Sequence, residues 1–305
     1  MKTRVKIAIC LYIIAGVFLA IAIVLKIQMI TPEQEYKKHV KFFEEIYGII
    51  ISSDDCPDEA KMEYTLEFST NLDKINRNLD TIAKCMENIP TGLLEQMNAA
   101  AYITIIEGKY MYTPDATKAI EGFQDPVYLE TDLHLILCES VKNGKTVIGG
   151  YTACGECDNY IILALGSEHS AKDTFFHEFF HVLEWKSGYM LEVGKFSAFS
   201  GWSDHNPEEF KYSTDASQYV LGITENKEDV YFVSEYATKS SKEDMAELFA
   251  YLMCLEDKAE FDELMQYPNL KEKIKFLDAC IMEAYPSITE EHCFQWQKWL
   301  GTSGE

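Results

Sequence analysis

The stretch from Ser170 to Trp185 constrains this chain more than any other. It reads as one helix, and Phe175, Phe176, Phe179, Phe180, Val182 and Leu183 make most of its circumference apolar, so it has to be buried. Ser170 and Asp173 are spaced as a capping box in which Asp replaces the usual Glu or Gln, and Gly188 is the expected stop. Inside this apolar rod stands His177-Glu178-Phe179-Phe180-His181. Helix residues four apart lie one above the other, so both imidazoles can face one ion at ~2.0–2.1 Å. Glu178 is one step round, where its carboxylate can take a proton from an activated water. An ordinary buried helix with two hydrogen-bonded histidines is the plain alternative.

A metal held this way needs a third protein ligand. A pattern with Gly three and His six residues after the second histidine fails, since Glu184 and Ser187 stand there; a glutamate about twenty residues on also fails, at Gly201. Further on, Glu243 and Glu247 are again four apart on an expected helix beside apolar Met245, Leu248 and Phe249. A carboxylate from this second helix can complete a two-histidine, one-glutamate set with water in the fourth place. The other glutamate can then orient a ligand imidazole from behind. A solvated acidic face is the usual meaning of such a helix; Tyr236, seven residues before Glu243, argues against it here.

The combination resembles the catalytic domain of the anthrax lethal factor and Pro-Pro endopeptidase group of glutamate-ligated zinc peptidases. It is more similar still to the exported zinc-binding metallopeptidases of gut bacteria. In that family the His-Glu-x-x-His helix is followed by a tyrosine and, seven residues later, by the ligand glutamate of a Glu-x-x-Ala-Glu run, here Glu243-Asp244-Met245-Ala246-Glu247. The resemblance implies an α+β, zincin-like metallopeptidase domain. It implies Zn2+ held by His177, His181 and Glu243, with Glu178 as general base, Tyr236 as donor to the oxyanion and Glu247 behind the ligands. It also implies a protein or peptide substrate. Phe180 stands where close relatives often carry Gly, which implies tighter packing. The match is sharp over residues 170–250 and silent on 31–90.

The first thirty residues are different material. Lys2, Arg4 and Lys6 precede Ile7–Leu25, nineteen residues without a charge. At ~1.5 Å per residue these cover about 28 Å, close to the hydrocarbon thickness of a bilayer. The basic flank predicts an inside N-terminus and an extracellular remainder, hence a single-pass cell-membrane protein. Ala20-Ile21-Ala22 lies inside the apolar run and is a poor cleavage site, so an uncleaved anchor fits better than a signal peptide, which would leave the protein secreted. Residues 1–30 hold four bases and no acid, so the rest of the chain carries −27 of the formal −23. That excess of acid disfavours nucleic acid as a partner. In an exported chain, Cys56, Cys85, Cys138, Cys154, Cys157, Cys254, Cys280 and Cys293 read as disulfide-capable, with up to four bridges. Zinc on Cys154 and Cys157 with His134 and Cys138 is disfavoured, because four strand residues span about 13 Å.

The remaining organisation is a helical region over 31–100 and a catalytic domain over 101–305. Thr31, Pro32 and Glu33 start a helix expected to run to residue 52, and residues 58–88 read as one or two more. Strands are expected at Tyr102–Glu107, within Val127–Cys138, at Lys145–Gly149 and at Tyr160–Leu165. The last is a candidate edge strand on which an extended peptide could pair. Helices return near Lys242–Glu256, Leu270–Ala284 and Thr289–Trp299. His39, His134, His169 and His292 show no partner spacing, Asp204-His205 reads as surface, and Trp296 and Trp299 as core or interface. Zinc-dependent endopeptidase activity at the cell surface is the leading expectation; a catalytically silent surface binding or adhesion module of the same fold is the alternative.

Overall fold

The computed structural model describes residues 30–97, 101–106, 109–113, 127–129, 132–154, 158–166, 171–190, 198–212 and 216–302. The apolar segment over residues 1–29 lies outside them; among the described residues no helix is long and apolar enough to cross a membrane. The architecture is mixed α+β.

Helix α1 (Pro32–Tyr47) starts as expected: the Thr31 hydroxyl accepts from the Gln34 N–H, and the Gln34 side chain accepts from the Thr31 N–H. It does not reach residue 52. Gly48 takes the left-handed conformation (φ 63°) that ends a helix, and the β-branched run that follows becomes strand β1 (Ile49–Ser52). Residues 58–88 likewise split, into α2 (Asp58–Lys61), β2 (Thr65–Glu67) and α3 (Leu72–Met86), the last capped by Asn71. Short helix α4 (Leu93–Met97) leads to β3 (Ala101–Ile106), β4 (Lys109–Thr113) and β5 (Val127–Leu129), which form a small antiparallel sheet.

The central sheet runs β1-β6-β10-β9, where β6 is Leu133–Cys138, β9 Gly150–Cys154 and β10 Asn159–Ala164. The first three strands are parallel and β9 is antiparallel to β10. Strand β10 is therefore interior: β6 and β9 take up both of its edges, and β9 is the edge strand where the sequence suggested β10. Strands β6 and β10 read as near-continuous apolar runs because both faces are covered. Strands β7 (Ser140–Asn143) and β8 (Thr146–Ile148) join β2 in a third sheet.

One sheet face carries Leu133, Leu135, Leu137, Ile161 and Leu163 into the main core, which extends from Phe43 to Trp296. Helix α5 (Ala171–Met190) lies across this face, with α3 on one flank and α6 (Ser241–Cys254) on the other. It runs through Gly188 rather than stopping there. Its Phe175, Phe176, Phe179, Phe180, Val182 and Leu183 are buried, each contributing about 1.5–3 kcal/mol of apolar burial. Phe180 packs between Phe199 and Phe249, at ring separations of 5.3 and 5.2 Å. At Gly150 a Cβ would come within 2.6 Å of the Ile162 carbonyl of β10 and 3.0 Å of the Thr174 methyl on α5, so only glycine lets β9 sit this close to β10 beside the helix. After α6 come α7 (Lys258–Leu264), α8 (Pro268–Ala284) and α9 (Gln295–Thr302). The Tyr285 hydroxyl, just past α8, donates to the Leu183 carbonyl of α5.

The disulfide expectation is corrected. Cys56, Cys85, Cys138, Cys154, Cys254, Cys280 and Cys293 are free; Cys157 lies outside the described residues. Cys56, Cys85, Cys138 and Cys280 are core residues, filling space as small apolar side chains. Burial pushes the Cys85 thiol up to about 11 and the Cys138 thiol up to about 12, the neutral, unreactive form.

Behind the main core lies a buried ion pair. Lys273 Nζ of α8 is 2.7 Å from Asp244 Oδ2 of α6, and both side chains are sealed from solvent. Trp202 Nε1 and the Tyr212 hydroxyl donate to the same oxygen, each at 2.8 Å. The ammonium sits 4.1 Å from the centre of the Phe232 ring. Burial works against both charges, so each is the other's main compensation. Replacing Asp244 by Asn strands the ammonium and is expected to cost about 3–5 kcal/mol in urea unfolding. The double variant with Lys273→Met should lose less than Asp244→Asn alone.

Candidate metal centre

The site is made by two helices that run antiparallel. Going up α5 from Lys172 through His177 to Glu184, the partners descend α6 from Cys254 through Glu247 and Glu243 to Lys242. Each helix faces the other with an i, i+4 pair: His177 and His181 on α5, Glu243 and Glu247 on α6.

Three donor atoms converge. His177 Nε2 lies 3.0 Å from Glu243 Oε2 and 3.1 Å from His181 Nε2, and His181 Nε2 lies 3.5 Å from Glu243 Oε2. A tetrahedral ion with ligands at ~2.0–2.1 Å sets its donor atoms about 3.3 Å apart, so this triangle fits zinc without rearrangement. The donor chemistry fits too: two imidazole nitrogens and one carboxylate oxygen. These residues form one of three groups among the described residues able to hold an ion.

The start of α6 puts Glu243 in place. Ser240 is its N-cap and accepts from the Glu243 N–H at 3.2 Å. Ser240 and Glu243 thus have capping-box spacing, but the glutamate carboxylate is turned to the histidines instead of back to the cap. Its position in the first helical turn still favours its negative charge. Glu247, one turn on, approaches the other face of His177, with Oε1 2.8 Å from Nδ1. Ser234 donates to Glu247 Oε2 at 2.5 Å and accepts from the Ala237 N–H. A carboxylate on Nδ1–H favours the tautomer whose Nε2 can bind an ion once its own proton is displaced.

Glu178 is buried against β9. The Thr152 hydroxyl lies 2.8 Å from Glu178 Oε2 and 2.9 Å from the Glu178 carbonyl. The register explains how: Thr152 lies opposite Ile161, so it shares the sheet face that carries α5. Burial raises the Glu178 carboxyl above its ordinary range against the opposing pull of His177, His181 and Thr152. Tyr236 opens a short 3₁₀ turn just before α6; its ring is 5.9 Å from that of His177 and is half-exposed. Burial and the carboxylates of Glu243, Glu178 and Glu247 push its hydroxyl up to about 12, so it remains a donor at neutral pH.

The geometry thus brings together His177, Glu178, His181, Tyr236, Glu243 and Glu247. Thr152 and Ser234 are additions that sequence reasoning missed; neither has a spacing signal, since strand register and a turn bring them in. Among the discounted histidines, His134 stacks on Tyr160 and lies 3.8 Å from Asp158, and His39 lies 3.5 Å from Asp80, so both have partners from distant positions. His205 packs against Phe276 with the rings tilted. His169 lies outside the described residues. Trp296 is buried, stacked on Phe294, and Trp299 packs near Phe261.

The metal-free site has its own pH dependence. Burial opposes a charged His177, but Glu243, Glu247 and Glu178 outweigh it and push the imidazole up to about 10. Burial likewise opposes a charged Glu243, and the two histidines bring its carboxyl down to about 2. A raised histidine stabilises fully below its ordinary 6.5 and loses that contribution as pH rises to about 10. A lowered glutamate stabilises fully above its ordinary 4.5 and loses it as pH falls to about 2. The pair therefore contributes most between pH 4.5 and 6.5. In chelator-treated protein, His177→Ala should flatten the decline of the urea midpoint between pH 6.5 and 10.

No curated protein matches the sequence. A solved structure from Bacteroides caccae is 15% identical and overlays with a TM-score of 0.42, over 83% of this chain and 88% of its own. Residues 159–290 match the model of a protein family described as "Putative zinc-binding metallo-peptidase", the description that the Bacteroides caccae structure also carries. The stretch similar to that family holds His177, Glu178, His181, Tyr236, Glu243 and Glu247, while Thr152 lies just before it.

Proposed function

We propose that this chain is a zinc-dependent endopeptidase, and that His177, His181 and Glu243 are its metal ligands. One observation carries the reading: His177 Nε2, His181 Nε2 and Glu243 Oε2 meet at 3.0–3.5 Å, the spacing zinc requires. The similarity of residues 159–290 to a family of zinc-binding metallo-peptidases supports it independently.

A zinc ion bound there would lower the pKa of a coordinated water and polarise the scissile carbonyl. Glu178 takes a proton from the attacking water and later delivers it to the leaving amine. Its buried, raised carboxyl is suited to both transfers. Thr152 holds that carboxylate in one rotamer through the contact at 2.8 Å. Tyr236 donates a hydrogen bond to the oxygen that becomes negative in the tetrahedral state, a contact that matters only as charge develops. Glu247 fixes the His177 ring from behind. Strand β9 ends the sheet and carries Thr152 past the site, so an extended peptide has a backbone edge to pair with there, beside the metal and not at β10. Location at the cell surface rests on the basic flank and apolar run of residues 1–30.

The test is proteome-wide cleavage profiling with the parent protein and its Glu178→Gln variant. Cleavage by the parent, lost in the variant at unchanged zinc content, is the expected outcome. Tyr236→Phe should reduce kcat about 10²–10³-fold with little change in KM. Thr152→Val should reduce kcat on the order of tenfold and leave zinc content alone. Absence of near-stoichiometric zinc in the parent, or a zinc count that does not fall by one equivalent in His177→Ala, would overturn the assignment.

A further inference from the structure

Away from this centre, α1 and α3 face each other with a second pair of i, i+4 positions. Glu35 and His39 lie on α1, Asn76 and Asp80 on α3, and the contacts follow the same order along both helices: Asn76 meets Pro32 and Glu35, Asp80 meets His39. One ligand atom each from Glu35, His39 and Asp80 falls within 4.8 Å of the others. His39 Nε2 and Asp80 Oδ1 are 3.5 Å apart. These separations suit donors around one cation with bonds of ~2.0–2.5 Å.

Asn76 gives the independent observation. It is 2% exposed, yet its Oδ1 has no hydrogen-bond partner among the described residues. The amide cannot be turned to relieve this. Its Nδ2 donates to the Pro32 carbonyl at 3.0 Å and to Glu35 Oε2 at 3.4 Å, and both are acceptors. A buried carbonyl oxygen left without a donor is destabilising, and such orphans are rare in folded proteins. Here the orphan belongs to a side chain that already touches one member of a three-residue ligand set. A divalent cation would satisfy an acceptor-only oxygen, two carboxylates and an imidazole together.

We infer that the cleft between α1 and α3 binds a divalent metal ion through Glu35, His39 and Asp80, with Asn76 Oδ1 as a fourth, neutral donor. The mixed nitrogen and oxygen set suits zinc or manganese better than an all-oxygen ion. Bound there, the ion clamps α1 to α3, which packs against α5. The site shares no residue with the centre on α5 and α6 and does not depend on the peptidase reading.

The test is a metal count on the untagged full-length chain after chelation, titrated with Zn2+ alone or Mn2+ alone and read by calorimetry and elemental analysis. The parent should bind one equivalent of at least one of these ions more than His39→Ala does. Asp80→Asn, an isosteric change at an exposed position, should lose the same equivalent and keep the fold if His39→Ala does not. Asn76→Leu should weaken that equivalent on the order of tenfold or more. His177→Ala should retain it. Equal counts of both ions in the parent and Asp80→Asn would overturn the inference.

Discussion

Two imidazole nitrogens and a carboxylate oxygen within 3.5 Å of one another, partly stripped of water, are held together only because α5 and α6 cannot move apart. The desolvation that opposes this gathering is met by mutual hydrogen bonding in the metal-free protein, and a cation of the right size would meet it better. Everything around the site serves that rigidity. Six apolar side chains bury the remaining faces of α5, Gly150 lets β9 close on β10 beside it, and Tyr285 anchors its later half. At the far end, the Cys254 thiol of α6 donates to Asp173 of α5 at 2.8 Å.

Helix α6 shows how one short acidic run can perform three tasks. Glu243 points to the histidine pair, Glu247 backs His177, and Asp244, one step round the helix, enters the interior to meet Lys273. By composition the segment is what a solvated face looks like. Its three carboxylates are instead distributed by the 100° turn between neighbouring residues, so that two flank the histidine pair and one fixes the helix to α8 and to the loop carrying Trp202 and Tyr212.

The residues that α5 and α6 bring together could be picked out of the sequence because each rests on a helical spacing: four between the histidines, four between the glutamates, seven from Tyr236 to Glu243. What could not be read depends on partners distant along the chain. Thr152 reaches Glu178 only through the β9–β10 register, and the interior position of β10 only emerges once β6 and β9 are known to flank it. The run Ile49-Ile50-Ile51 continues a helical pattern, and the left-handed turn at Gly48 is what converts it to strand. Cysteine number suggested bridges because export was assumed; the side chains are spent on packing instead.

Strand β1 links the two ends of this description. It comes early in the chain, yet it pairs along Leu133–Ile136 and so closes the β6 side of the sheet on which α5 rests. A fragment beginning after residue 100 would present the bare hydrogen-bonding rim of β6, a hydrophobic strand paired only with β10. Such a rim is a template for a second molecule, so pieces of this protein that retain both α5 and α6 would tend to stick to one another.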